Sequence, residues 1–128
     1  MYRTHHCNEL RPSHAGETVT LVGWVNTKRD HHGVIFIDVR DREGVTQCVF
    51  RPEENSAAAE LSHHLRQEDV IQVTGRVDLR PEFEGQTTVN TSIATGEIEL
   101  VASELKILNK ADVLPFQLDK ELSNEDLR

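Results

Sequence analysis

At 128 residues the chain is long enough to bury one hydrophobic core and short for two. Hydrophobic residues make up 37% and charged residues 28%, and no apolar run approaches the roughly 20 residues needed to cross a bilayer, so the composition predicts no membrane insertion. Fourteen basic against 22 acidic residues, a formal charge of −8, argue against binding long nucleic acid through a broad positive field; any such contact must be local.

The N-terminal MYRTHHCNELR has no apolar stretch of the secretory kind, which predicts a cytoplasmic location. Cys7 and Cys48 fit that compartment as reduced thiols, Cys48 as a small buried side chain in a strand; a single bridge between them is the alternative. TVTLVGWVN, Thr18 to Asn26, alternates Val19, Leu21, Gly23 and Val25 against Thr20, Val22, Trp24 and Asn26, which predicts a first strand with a bulge or bend at Gly23. TKRDHHG, 27–33, is then a polar loop. In GVIFIDVR the alternation sends Ile35, Ile37 and Val39 inward and Val34, Phe36, Asp38 and Arg40 outward. Phe36 thus stands among charged neighbours on the face that should meet water.

RDREG forms a turn, and VTQCVFR a third strand antiparallel to the second. Counting back from that turn places Phe36 and Gln47 opposite or diagonal, an aromatic and an amide on one exposed face. In PEENSAAAELSHHLRQED, Ala58, Leu61 and Leu65 recur at helical spacing behind an Asn55/Ser56 cap. VIQVTGRV makes a fourth strand with Ile71, Val73 and Val77 inward. The stretch Leu79 to Gly96 is rich in turn formers and too long for a plain connector, so it is a candidate functional loop. EIELVASELKIL gives a fifth strand whose alternation slips between Ala102 and Leu105, a second bulge.

Five short strands, a short helix between the third and fourth, and glycines inside strands predict an all-β fold, a small closed five-stranded barrel of the OB type over 1–110. Such barrels bind ligands on strands two and three, flanked by the loops after strands one and four, where Phe36 and Gln47 fall. Residues 111–128 read as a linker. Their Ser123 to Asp126 has the form of a capping box with almost no helix after it, the pattern of a longer polypeptide's front end.

GWVNTKRDHHGVIFIDVRDREGVTQCVF, ATGEIELVASELKILNKADVLPF and the final NEDLR resemble the N-terminal anticodon-binding domain of bacterial-type aspartyl-tRNA synthetases, over essentially the whole chain. That resemblance implies that Phe36 stacks on the middle anticodon base, a uracil, and that Gln47 hydrogen-bonds it. It also implies anticodon contacts for Arg29 with Lys28 and His31 beside it, for Glu99 toward the outer bases, and more weakly for Arg80. The implied partners are tRNA(Asp) and, as a second, tRNA(Asn), because His31 stands where strict aspartate enzymes commonly carry leucine. ATP and Mg serve the full-length family, a homodimer with a C-terminal catalytic domain; the 128 residues alone imply no cofactor and no catalysis. The chain departs from the family pattern in having Thr27 and Lys28 before Arg29 where three arginines are common, and Asp78 at an often basic position. Fewer cations predict weaker, less salt-dependent binding.

Other meanings weigh against these. Phe36 joins the core if the strand register slips. The pairs His5/His6, His31/His32 and His63/His64 lack metal-ligand spacing and read as solvated. Asp38, Asp41 and Glu43 have no accompanying nucleophile and read as hydrogen-bonding groups of the turn. Trp24 reads as packing at the barrel's edge. The alternatives in function are a protein-interaction barrel anchored by Phe36 and a general single-stranded nucleic-acid binder.

Overall fold

The computed structural model describes residues 3–83 and 86–109. The expected linker at 111–128, its capping box and the domain boundary at 110 lie outside the described residues. Five strands close into a barrel: β1 (Thr18–His31), β2 (Val34–Arg40), β3 (Val45–Phe50), β4 (Val70–Leu79) and, after a minor hairpin of β5 (Glu82–Phe83) and β6 (Gln86–Thr87), β7 (Ile98–Asn109). The order around the ring is β1-β2-β3-β7-β4, with β3 and β7 parallel and every other neighbouring pair antiparallel. Val19, Leu21, Val25, Ile35, Ile37, Val39, Ile71, Val73, Val77, Ile98 and Leu100 fill the interior, as the period-two pattern requires.

β1 is longer than the pattern predicted. The polar 27–33 stretch is not a loop: β1 pairs with β2 as far as His31↔Val34, leaving only His32 and Gly33 as the turn. Both have positive φ, +54° and +86°, the backbone of a two-residue type I′ hairpin whose second position favours glycine. Thr27 to His31 look like a loop in sequence because they extend past the core and are exposed. The bulge in β1 falls between Val25 and Thr27, at Asn26, rather than at Gly23. Gly23 and Gly75 instead mark close backbone approach, since a Cβ at either would overlap the carbonyl of Arg40 or of Val101. The slip in β7 is a bulge at Ser103, between the partners of Thr74 and Gly75.

The helix, α1 (Ser56–Ser62), is capped by Asn55, whose Oδ1 accepts from the Ala58 N–H at 2.9 Å. It is shorter than expected: Leu65 is buried but lies beyond it, and Ala58, Ala59 and Ser62 form its inner face while Leu61 is half-buried. Asn55 Nδ2 also donates to the Ser103 carbonyl at 2.8 Å, tying the helix to the β7 bulge. The N-terminal segment, which sequence patterning left without structure, buries Cys7 and Leu10 in the core. Its anchors are Thr46 Oγ1 donating to Cys7 O at 2.6 Å and Cys7 N–H donating to Asp41 Oδ2 at 2.9 Å.

Candidate functional site

Outside the barrel wall, strands β1, β2, β3 and β7 form the floor of a groove of about 600 Å³. Alternation places the side chains. On β2 the residues between core positions point outward, so Phe36 lies half-buried in the groove with Val34 beside it. On β3 the outward set is Gln47, Val49 and then Arg51, and Phe36↔Val49 and Asp38↔Gln47 are cross-strand pairs, so Phe36 and Gln47 are diagonal neighbours. Past the Asn26 bulge, Arg29 pairs with Phe36 and faces the same way. Glu99 on β7 completes the floor, since Val49↔Val101 sets Gln47 beside it.

Sequence reasoning pictured an exposed face. The amide and the carboxylate are in fact covered, at 7% and 3% exposure for Gln47 and Glu99. Arg29 and Arg80, with Pro81 and Thr88 of the loop after β4, build the walls that cover them. Arg29 Nη2 donates to Gln47 Oε1 at 3.0 Å, and its Cζ lies 6.0 Å from the Phe36 ring centroid, at the limit of cation–π contact. Gln47 Nε2 donates to Glu99 Oε1 at 3.2 Å, and Arg51 Nη2 stands 3.5 Å from Glu99 Oε2. Burial raises the Glu99 carboxyl pKa; Arg51, the Gln47 amide and Arg80 oppose the shift. Arg80 straps the loop to β7, with Nε donating to Ile98 O at 2.9 Å and Nη1 to Thr88 O at 3.2 Å. Burial lowers its pKa, with Asp38 and Glu99 opposing. Three guanidinium groups thus line a groove on an acidic protein, the local cation cluster that the overall charge requires of an anionic ligand's site.

Of the residues singled out in the sequence, Phe36, Gln47, Arg29, Glu99, His31 and Arg80 all line this groove. Lys28 does not join them. As Arg29's neighbour on a strand it faces the other way, and its Nζ donates to the carbonyls of His63 and Leu65 at 2.7 and 3.0 Å, securing the chain after α1. Arg51, which was not among the residues singled out in the sequence, also lines the groove, its spacing of four from Gln47 setting it on the same face. The turn carboxylates divide. Asp41 Oδ1 accepts from the N–H groups of Glu43 and Gly44, as expected, whereas Asp38 instead accepts across the sheet from Thr27 Oγ1 at 2.7 Å.

A cluster that spacing did not reveal is His5, His14 and Glu17, whose ligand atoms lie within 4.8 Å of one another. His14 Nδ1 accepts from the Arg11 N–H at 2.9 Å, which puts the neutral ring's proton on Nε2 and leaves no lone pair for a cation while that bond stands. Cys7 and Cys48 are free and buried, and burial pushes both thiols far above the ordinary range.

The closed five-stranded barrel, with its short helix after β3 and a groove on its outer wall, is of the OB-fold class. Residues 19–108 match the tRNA anticodon-type family described as the OB-fold nucleic acid binding domain, and the chain belongs to that family. It is 51% identical over 127 residues to the aspartate–tRNA(Asp/Asn) ligase of Methylacidiphilum infernorum and 52% identical over 128 residues to that of Magnetococcus marinus. These alignments cover 99% and 100% of the chain, which spans about a fifth of the length of either relative. Among solved structures it resembles the asparaginyl-tRNA synthetase of Pyrococcus horikoshii in complex with asparaginyl-adenylate, with a TM-score of 0.70 and 23% identity over 99% of this chain and 27% of that one. It also resembles an OBody bound to hen egg-white lysozyme, with a TM-score of 0.71 and 28% identity over 87% of this chain and 97% of that one.

Proposed function

We propose that this chain is the anticodon-reading domain of an aspartate–tRNA ligase, and that its groove receives the middle anticodon uracil between Phe36 and Gln47. The observation that carries this is the diagonal placement of a half-buried phenyl ring and a buried amide in one arginine-lined groove. A phenyl face stacks on any base, supplying affinity without sequence, and an amide supplies the donor and acceptor that a base edge requires. Arg29 and Arg80 supply local charge for the neighbouring phosphates, and Glu99 accepts from an adjacent base. His31, in the groove wall, belongs to a reader shared by tRNA(Asp) and tRNA(Asn), the pair named for both ligases above.

The parent protein's activity, joining aspartate to tRNA with ATP and magnesium as a homodimer, belongs to residues beyond this barrel. Among the described residues the groove does not fit a metal-nucleotide site: its carboxylates are Asp30, which accepts from the Gly33 N–H, and the covered Glu99, engaged by Gln47 and Arg51, and the three guanidinium groups beside them disfavour a divalent cation.

The test is a low-salt titration with an anticodon hairpin reading GUC, the same hairpin with its middle uracil changed to cytosine, and a Phe36→Ala chain. Binding of GUC that both changes abolish supports the reading. Equal behaviour of all three overturns it in favour of a protein-interaction barrel, for which the lysozyme-bound relative is the precedent.

A further inference from the structure

The Gln47 amide sits between two partners of opposite and fixed hydrogen-bonding character. Its Oε1 receives Arg29, whose guanidinium can only donate, at 3.0 Å; its Nε2 donates to the Glu99 carboxylate, which when ionised can only accept, at 3.2 Å. A primary amide has nearly the same shape after a half-turn about the Cγ–Cδ bond that carries it, so its orientation is set by its neighbours. Here a half-turn would set an N–H₂ against a guanidinium and a carbonyl against a carboxylate, losing both bonds and adding two repulsions. Arg51, 3.5 Å from the second Glu99 oxygen, holds that carboxylate in place.

The orientation matters because of what pyrimidines present. Uracil places a donor, N3–H, beside an acceptor, O4. Cytosine places an acceptor, N3, beside a donor, N4–H₂. An amide accepting from the ring nitrogen and donating to the exocyclic group therefore reads uracil, and the same amide turned over reads cytosine. Phe36 cannot make the distinction, since stacking tolerates either base. The bonds to Arg29 and Glu99 still leave Oε1 a lone pair and Nε2 a proton for the base.

We propose that Arg29 at one end and Glu99, anchored by Arg51, at the other lock the Gln47 amide in a single orientation, and that this lock gives the groove its preference for uracil over cytosine. It rests on Gln47 reading the middle base, as proposed above. Glu99, Arg51 and Arg29 act here as positioning residues, through Gln47.

The test measures the affinity ratio between hairpins reading GUC and GCC for the native chain, Glu99→Gln, Arg29→Gln and Gln47→Ala. A natively locked amide gives a ratio of at least about tenfold, the scale of one well-made base contact. Glutamine at position 99 accepts or donates equally well, so Glu99→Gln lowers the ratio below about threefold, chiefly by admitting GCC. Arg29→Gln, at the exposed strand end and away from the core, lowers it in the same direction. An unchanged ratio in both variants, with both hairpins weakened alike, overturns the lock. Gln47→Ala separates the two levels. If the ratio survives that change, Gln47 does not read the base at all; if Gln47→Ala loses the ratio and Glu99→Gln keeps it, the lock alone fails.

Discussion

Arg29 and Gln47, 18 residues apart on non-adjacent strands, are joined by a hydrogen bond of 3.0 Å that passes beside the Phe36 ring. The cation therefore sits against both groups proposed to hold a base. Replacing Arg29 by alanine should weaken binding of an anticodon hairpin about tenfold at low salt and flatten the dependence of log affinity on log salt by a little under one, the contribution of one phosphate neutralised on a single strand. Because its side chain is half-exposed, at 51%, the melting temperature should move little. Titrations at several salt concentrations check this, and an unchanged salt slope would remove Arg29 from the phosphate contacts.

Phe36→Ala should cost about 1–3 kcal/mol of binding, the worth of one base stacked on an aromatic ring, whatever the base. Thermal unfolding should register a smaller loss, since the ring is half-buried outside the barrel while Ile35 and Ile37 on either side fill it. A fall in stability as large as the fall in affinity would mean that the ring is chiefly packing.

Glu99 makes stability depend on pH in a definite direction. Its carboxyl pKa is raised above the ordinary 4.5, mainly by burial, so the folded state binds its proton more readily than the unfolded state does. Its contribution is fully favourable below the unfolded value and is lost as pH rises through the raised one. Urea unfolding across that interval should show Glu99→Gln gaining on the native chain as pH increases. A difference independent of pH would show that Arg51 and Gln47 fully offset the burial.

Gly75→Ala should destabilise the chain by about 1–3 kcal/mol or more, the cost of overpacking, because its methyl would overlap the Val101 carbonyl where β7 bulges. The midpoint of urea unfolding reads this directly. Groove residues lie on other strands, so the variant that remains folded should keep its affinity for the hairpin.

Neither thiol should react with an exposed-thiol reagent while the chain is folded. Cys7 and Cys48 are fully buried, and burial disfavours the thiolate that does the attacking. Reaction should appear in step with unfolding. Fast labelling of Cys7 in native buffer would mean that the N-terminal segment opens from the barrel.

Much of the barrel was legible because its signals are periodic. The inward sets of β2 and β4, the Asn55 cap and the slip near Ser103 all follow from patterns of two residues or from a cap side chain, and the structure repeats them. The groove was legible only in part. Phe36 stood out because it broke the alternation, and Gln47 followed from counting across the hairpin. Arg51 and the burial of Glu99 were hidden, since charged residues on an outward face look solvated until the loop that covers them is placed. The extent of β1 was hidden for the opposite reason: where a strand runs past its core, polarity no longer reports on backbone geometry. The helix's inner face was misread because Ser62, a polar residue, takes an inner position there, donating its hydroxyl to Ala59 O at 2.6 Å.

The single extra residue at Asn26 divides β1 into two jurisdictions. Before it, odd-numbered residues fill the barrel; after it, Thr27, Arg29 and His31 lie on the outer side, while Lys28 turns back to the chain after α1. The Val25 N–H and carbonyl bond Asp69 and Glu68, and Gln67 Nε2 donates to the Asn26 carbonyl, so the offset is braced from outside the strand. Substitutions downstream of Asn26 therefore alter what the groove meets without disturbing what the barrel packs. Drawing Asn26 into the regular ladder would reverse the parity and send Lys28 to the groove, or force the hairpin to slide. One ribbon of backbone is thus free to drift in recognition while remaining strict in architecture.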